Sequence, residues 1–352
     1  MNFFVASSSK ATAIFAGKAG CPRIKYFSDN AVIPTHVLPD AFRHQFDNAD
    51  VLVINGTWGN ELRKSNIIKG YNEGKLRGGI IPRVVFEGNK ISYKNRSAIL
   101  DYINTELVKV AKEQNKPIIV FESPTISRAN INYSSDFSTK HFTRIGLDSW
   151  MYKDAKWLTI DDFEEIQTVN APRLYNHNWK QKKEGAIYIL AGLETDPTST
   201  FTPKEFIKNT IEKIRLKTNK QIYIKLHPGT IKLSLEEIEN LIKLYKNVSI
   251  IPKSVPIQKL YSDMYCAVID NSTSIFELID AGIPTFCSDI NFGADLLNTD
   301  VNNICNPYFA TQEEVLLWTN KMSCTELSSS IIRSDKFVTY AEKLVNRHSN
   351  GI

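Results

Sequence analysis

Short apolar runs rich in β-branched and aromatic residues recur along this chain. Each is closed by a polar or glycine-containing turn, and most are followed by a stretch of helical periodicity. They read FFVAS at the start, DVLVING at 50–56, PIIVFE at 117–122, AIYILAG at 186–192, QIYIKLHPG at 221–229, VSII at 248–251, CAVID at 266–270 and PTFC at 284–287. Helical patterns fall between them at about Ser97–Gln114, Pro203–Lys217, Leu235–Tyr245 and after Asp270, with a last one near Lys336–Val345. Strands that alternate with helices are joined by crossovers rather than hairpins, which makes the sheet parallel. At 352 residues the chain exceeds the size at which one core usually stops growing. The expected fold class is therefore α/β, with two Rossmann-like doubly wound domains facing a cleft. The polar, aperiodic stretch TVNAPRLYNHNWKQKKEG separates the two halves. Expected boundaries are 1–170 for the first domain, 171–185 for the linker and 186–325 for the second. The remaining 326–352 carries a helix able to pack back on the N-terminal domain.

Composition removes several classes of function. With 42% hydrophobic and 23% charged residues the chain is that of an ordinary globular protein, and no run is long and apolar enough for a membrane span. The start has no basic region ahead of a long apolar core, so it reads as a first strand rather than a secretory signal, and the expected compartment is the cytoplasm. The five cysteines, Cys21, Cys266, Cys287, Cys305 and Cys324, are odd in number and without a C-x-x-C pair. That argues against a disulfide framework or a thiolate zinc site. A net charge of +5 permits a polyanionic partner without demanding one.

In a doubly wound sheet the ligand lies beyond the carboxyl ends of the strands, so the turns there are the positions to inspect. They are Asn55 to Gly59, Glu122-Ser123-Pro124, Gly192 to Asp196, His227-Pro228-Gly229 and Asp270 to Ser274. The last belongs to VIDNSTSIFELIDAGIPTF, which reads as strand, tight turn and helix, with Gly282 as the stop. A helix starting there offers unpaired N–H groups to an anion. Ser274 and Glu277 equally have the spacing of a capping box, in which they satisfy each other's backbone donors. His227 closes a strand beside Lys225, where an imidazole N–H can stabilise a leaving phosphate, although a lone histidine is as readily a structural residue. Glu122 closes the apolar IIVFE run. Partial desolvation there would raise its pKa toward that of a general base, or it pairs with Arg128 or Arg144.

The fingerprints of dinucleotide binding, P-loop phosphoryl transfer, zinc proteolysis and serine hydrolysis are all missing, as is a D-x-D triplet. No metal and no cofactor are expected. AIYILAGLETDP, the stretch ending in QIYIKLHPG, and VIDNSTSIFELIDAGIPTF together resemble the donor half of GT-B glycosyltransferases. KPIIVFESPTISR, HFTRIGLDSW and HNWKQKKEGAIYIL resemble phage-encoded members that modify DNA bases. The same spacing is similar to capsule and lipopolysaccharide Kdo transferases. The resemblance implies a nucleotide-sugar partner, most simply UDP-linked, held by Asn271, Ser272, Thr273, Ser274 and Glu277, by Lys225 and His227, and by Gly192 with Thr195. It implies a catalytic carboxylate from the acceptor half, with Glu122 first, Asp148 second and Asp136 third. Trp58, Arg128 and Arg144 would face the acceptor, a hydroxymethylated pyrimidine in DNA on the first resemblance and a surface glycan on the second. Trp58, Trp150 and Tyr152 would stack on a flipped base, or else fill the core. A non-catalytic protein that binds nucleotide sugar or DNA is the remaining alternative.

Overall fold

The computed structural model describes residues 1–7, 10–24, 33–34, 40–55, 85–87, 90–92, 107–122, 142–148, 184–192, 202–227, 230, 232–270, 272, 274–287, 296–323 and 326–349. The chain divides into two compact units, Met1–Ala171 with Cys324–Ile352, and Pro172–Ser323. Both are Rossmann-like, each built on a sheet of mainly or wholly parallel strands.

In the first unit β1 (Phe3–Ala6) is followed by α1 (Lys10–Ala19), β2 (Arg23–Ile24), β3 (Ile33–Pro34), α2 (Asp40–Asp47) and β4 (Val51–Asn55). Next come β5 (Val85–Glu87), β6 (Lys90–Ser92), β7 (Ile118–Glu122) and β8 (Phe142–Leu147). The main sheet has the order β14-β8-β7-β4-β1-β2, where β14 is Glu326–Ser328 near the carboxyl terminus. The strands β7, β4, β1 and β2 are parallel, while β8 runs antiparallel to both β7 and β14. A separate antiparallel sheet, β3-β6-β5, was not legible in the sequence.

Strand alternation builds the core. Phe3, Val5, Val51, Val53, Ile119, Phe121, Ile145 and Leu147 share one face and pack under α1. The carboxyl-terminal helices, which follow β14 and belong to this unit, close the same core through Ile332, Phe337, Ala341, Leu344 and Val345. Phe337 lies 5.2 Å, ring to ring, from both Phe15 and Phe121.

The second unit is fully parallel in its sheet. Its elements are β9 (Ala186–Leu190), α3 (Pro203–Arg215), β10 (Ile222–Lys225), α4 (Lys232–Ile242), β11 (Val248–Ile251), β12 (Met264–Ile269), α5 (Ser274–Asp280), β13 (Thr285–Cys287) and α6 (Gln312–Ser323). A 3₁₀ helix, Ile257–Asp263, leads into β12. Strand order is β11-β10-β9-β12-β13, so the chain runs outward from β9 on one side and then returns to build the other. Thr202 and Glu205 form a capping box at the start of α3, with Pro203 in the first turn. Helix α4 stops at Ile242, short of the expected Tyr245, because the chain tightens there into turns in which Leu244 and Tyr245 donate to Leu241 and Ile242. Phe206, Ile207, Ile211 and Ile214 of α3 and Ile238 and Leu241 of α4 cover Ile187, Ile189, Ile222, Ile224 and Val268. Before β9, Gly185 has φ of 128°, and a Cβ there would meet the Asp263 carbonyl at 2.3 Å. Only glycine allows so close an approach of the two backbones.

Phe337→Ala removes a ring buried against both α1 and β7. It should cost about 3–5 kcal/mol of the first unit's stability, read as a lowered midpoint in urea unfolding. A loss below about 1 kcal/mol would mean that the carboxyl-terminal helix contributes little to this core.

Candidate functional site

Register defines the edge at which the second unit's polar turns collect. Ile251, Lys225, Leu190, Ile269 and Cys287 are cross-strand partners in one continuous row over all five strands. The segments leaving that row are Pro252-Lys253, Leu226-His227, Ala191-Gly192 and Asp270 with Ser272. All therefore lie at the carboxyl edge of one sheet. Between β9 and β12 the strand order reverses, which is where a parallel sheet opens a crevice for a ligand.

Lys225 is the cation built into this edge. Ile222, Ile224 and Leu226 face α3 and α4, so by alternation Lys225 faces the other way. It is only 9% exposed, and its ammonium donates to the Lys253 carbonyl at 3.3 Å. No carboxylate partners it among the described residues, and burial lowers its pKa from the ordinary lysine value. Lys253 in turn donates to the Thr230 carbonyl, and the Thr230 amide donates to the His227 carbonyl at 2.9 Å. The two lysines thus lace the loop after β10 to the loop after β11. The Thr230 hydroxyl is buried and has no hydrogen-bond partner among the described residues. His227 is exposed at the end of this laced loop.

The start of α5 differs from the expected capping box. The Ser272 hydroxyl donates to Ser274 Oγ at 3.2 Å and accepts from the Ser274 amide at 3.3 Å, and the Ile275 amide donates to the Ser272 carbonyl. Ser272 therefore supplies the cap, and the helix begins at Ser274 itself. Glu277 does not reach back. Its Oε2 accepts from Gln258 Nε2 at 2.8 Å and from the Tyr261 hydroxyl at 3.1 Å, both on the 3₁₀ helix. Burial raises the Glu277 pKa, and these two bonds oppose the rise. The helix has only seven residues, so its terminus is a weaker anion anchor than the sequence implied. It ends as expected. Gly282, with φ of 74°, donates to Ile279, and Ile283 donates to Leu278, which is the Schellman pattern.

Asp280 was not singled out by its sequence context. It lies three residues beyond Glu277, on the same side of α5, and its Oδ2 is buried without a hydrogen-bond partner among the described residues. Burial, with the Glu277 charge second, pushes its carboxyl up to about 7. A charge pattern of E-x-x-D on a helix is too common to have marked it.

In the first unit Glu122 ends β7, one residue beyond Phe121, which pairs with Asn55 at the end of β4. It stands directly opposite Arg144 on β8, and Arg144 stands opposite Glu326 on β14. Directly opposed residues project from the same face, so the three form a row of carboxylate, guanidinium and carboxylate. Arg144 is 6% exposed and Glu326 1%. Nothing local marks Glu326, because 182 positions of sequence separate it from its cross-strand partner Arg144. Asp148 lies apart from Glu122. It follows β8, which runs antiparallel to β7, and therefore sits by the amino end of β7, about 13 Å along the sheet from Glu122. Its carboxylate accepts from the Ile118 amide at 2.7 Å, and its own amide donates to the Ile118 carbonyl. With φ of 53°, Asp148 is a turn residue that satisfies a strand start. Trp58, Arg128, Asp136, Trp150, Tyr152, Thr195, Asn271 and Thr273 lie outside the described residues.

No family model and no curated protein matches the chain. Among solved structures it is similar to the beta Kdo 2,7 transferase of Thermosulfurimonas dismutans KpsC, at 14% identity over 98% of this chain and 99% of that one, with a TM-score of 0.44. The beta Kdo 2,4 transferase of the same KpsC follows at 11% identity, 91% and 89% coverage and a TM-score of 0.42. A UDP-GlcNAc 2-epimerase from Methanocaldococcus jannaschii has 13% identity, 90% and 97% coverage and a TM-score of 0.31. These likenesses are loose, and none names a family for this chain.

The Asp280 carboxyl titrates at about 7 when folded against an ordinary value of 3.8. A raised folded pKa means that the native state binds the proton more tightly, so its contribution to stability is full below pH 4 and is lost as pH rises through 7. Asp280→Asn should therefore melt higher than the parent at pH 8, and the advantage should shrink toward pH 4. A gain that is equal at both pH values would show that the carboxyl does not titrate in this range.

Proposed function

We propose that the protein is a glycosyltransferase that moves a sugar from a nucleotide-sugar donor to a hydroxyl acceptor without a metal ion. The observation that carries this reading is the convergence of Gly192, Lys225, His227 and Ser272 at one edge of a parallel sheet, on either side of its switch point. Lys225 holds a positive charge there with no carboxylate to neutralise it among the described residues. A diphosphate laid across that edge would meet the Lys225 ammonium and the His227 imidazole. It would find the Ser272 and Ser274 hydroxyls on the other side of the crevice. Charge on the leaving phosphate is then met by fixed cationic and N–H donors, which is the task a metal performs elsewhere. Glu277 spends Oε2 on Gln258 and Tyr261. Its Oε1 is the atom offered to a ribose hydroxyl. Asn271, Thr273 and Thr195 complete the donor side in this reading. Glu122, at the corresponding edge of the first unit's sheet, is the base that takes the acceptor proton, oriented by Arg144.

Two acceptors remain in view. A hydroxymethylated pyrimidine in DNA is supported by the resemblance of the segments quoted above and by the net charge of +5. A surface glycan, as in Kdo-type transfer, is favoured by a leucine and lysine surface on the second unit, described below, and it is the acceptor we prefer. No helix among the described residues is long and apolar enough to cross a membrane. A glycan acceptor would thus be reached from the membrane surface.

The decisive assay offers the protein a panel of nucleotide sugars. Acceptors are hydroxymethylated DNA, plain DNA and lipid-linked oligosaccharide, and products are read by mass spectrometry. Sugar on the oligosaccharide alone supports the preferred acceptor, sugar on hydroxymethylated DNA alone reverses the preference, and no transfer to any acceptor removes the enzyme reading. Glu122→Gln should lower turnover by about 10²–10⁴-fold with donor affinity unchanged. Lys225→Ala should weaken donor binding about tenfold or more, as expected for loss of a charge-assisted hydrogen bond, in calorimetric titration with nucleoside diphosphate. Unaltered turnover in the first variant, or unaltered affinity in the second, would take that residue out of the mechanism.

A further inference from the structure

The opposite, amino-terminal edge of the second unit's sheet carries a surface that the donor site does not use. Helices α3 and α4 both end there, each in a short turn that feeds a strand. Arg215 ties the two turns together. One guanidinium nitrogen donates to the Thr218 and Lys220 carbonyls at 3.1 and 3.0 Å, and the other to the Lys246 and Asn247 carbonyls at 3.0 and 2.8 Å. Both terminal nitrogens donate to carbonyls at two helix ends, where the backbone dipole is negative. Two segments far apart in sequence therefore present one rigid surface.

That surface exposes the side chains a folded chain normally hides. Leu216 is 81% exposed and Leu244 77%, one in each clamped turn. Around them stand Lys213, Lys217, Lys243 and Lys246, all exposed, with Lys220 half-buried over the Tyr265 ring at 4.6 Å. The segments 213–220 and 243–247 contain no acidic residue. Glu212, next to Lys213, is already held by Lys208 at 3.7 Å and the Tyr245 hydroxyl at 3.1 Å.

We infer that this clamped pair of turns docks the protein on an anionic lipid surface, with Leu216 and Leu244 entering the headgroup layer and the lysines pairing with lipid phosphates. A second copy of the chain is the poorer occupant, since a self-complementary contact would bring the same lysines face to face. Nucleic acid would use the lysines but gain nothing from two exposed leucines, because its charged backbone offers no apolar phase. An acidic bilayer rewards both groups at once, the leucines by burial and the lysines by the negative surface potential. The inference stands whether or not the chain transfers sugar. It would also hold the protein at the surface where a lipid-linked glycan is found.

The test is flotation of the full-length chain with vesicles of equal parts phosphatidylcholine and phosphatidylglycerol, against vesicles of phosphatidylcholine alone. Three proteins are compared, the parent, Leu216→Ser with Leu244→Ser, and Lys217→Glu with Lys246→Glu. All four positions are exposed, so each variant should keep the parent's melting temperature, which is measured alongside. The parent should float with the anionic vesicles and not with the neutral ones. Each double variant should bind about tenfold more weakly or worse, and raised salt should weaken the parent. Equal binding by the parent and both variants overturns the inference. So does a lysine variant that fails while the leucine variant binds normally, combined with tight binding of plain duplex DNA, since that pattern assigns the surface to nucleic acid.

Discussion

Parallel pairing of β9 with both β10 and β12 is the constraint on which the second unit depends. Parallel neighbours cannot be joined by tight hairpins, so every connection must cross over a face and return to the starting edge. All the turns that leave strands then fall along one edge, and all those that enter strands fall along the other. The chain's reversal about β9 opens the first edge between β9 and β12. A single register row, from Ile251 to Cys287, brings Gly192, Lys225, His227 and Ser272 to that edge although 80 positions separate the first from the last.

The same pairing has an electrostatic consequence. Lysine at the end of an interior strand loses much of its water, and the structure answers with backbone carbonyls rather than a carboxylate. Lys225 donates to Lys253 and Lys253 to Thr230, so charge is retained at the edge instead of being neutralised. The opposite edge treats Arg215 in a related way. Its guanidinium is spent on carbonyls, whereas the surrounding lysines remain exposed. Among the described residues each edge keeps positive charge that no carboxylate neutralises, one set at the switch point and the other on an open face beside two leucines. The first unit contrasts with both. There Arg144 lies in register between Glu122 and Glu326, so its guanidinium is flanked by carboxylates.

Much of this was legible in the chain itself. Apolar runs such as AIYIL, IYIK and VLVIN have the length, branching and boundaries of buried parallel strands, and β9, β10 and β4 occupy those residues. Gly282 stops α5 as its position implied, because only a residue that tolerates positive φ closes the Schellman turn cheaply. Local chemistry of this kind depends on residues within a few positions of one another. The small sheet of β3, β5 and β6 gave no comparable signal, since strands of two or three residues carry too little periodicity to read.

Sequence alone determined the alternation of strand and helix, hence two sheets built mainly of parallel strands, and it located the polar strand ends at which a ligand can sit. Tertiary structure alone decided which of those ends share an edge and what each side chain does there. Glu277 illustrates the division, because its spacing from Ser274 suits a capping box, but a 3₁₀ helix nineteen residues upstream offers Gln258 and Tyr261 and takes the carboxylate away. Asp148 illustrates it again. Nothing local reveals that β8 runs antiparallel to β7, and that direction sends Asp148 to the far end of the sheet from Glu122. Helix propensity, capping and strand pattern are short-range properties of the chain, whereas strand direction, register and cross-strand partners follow from long-range pairing that packing selects.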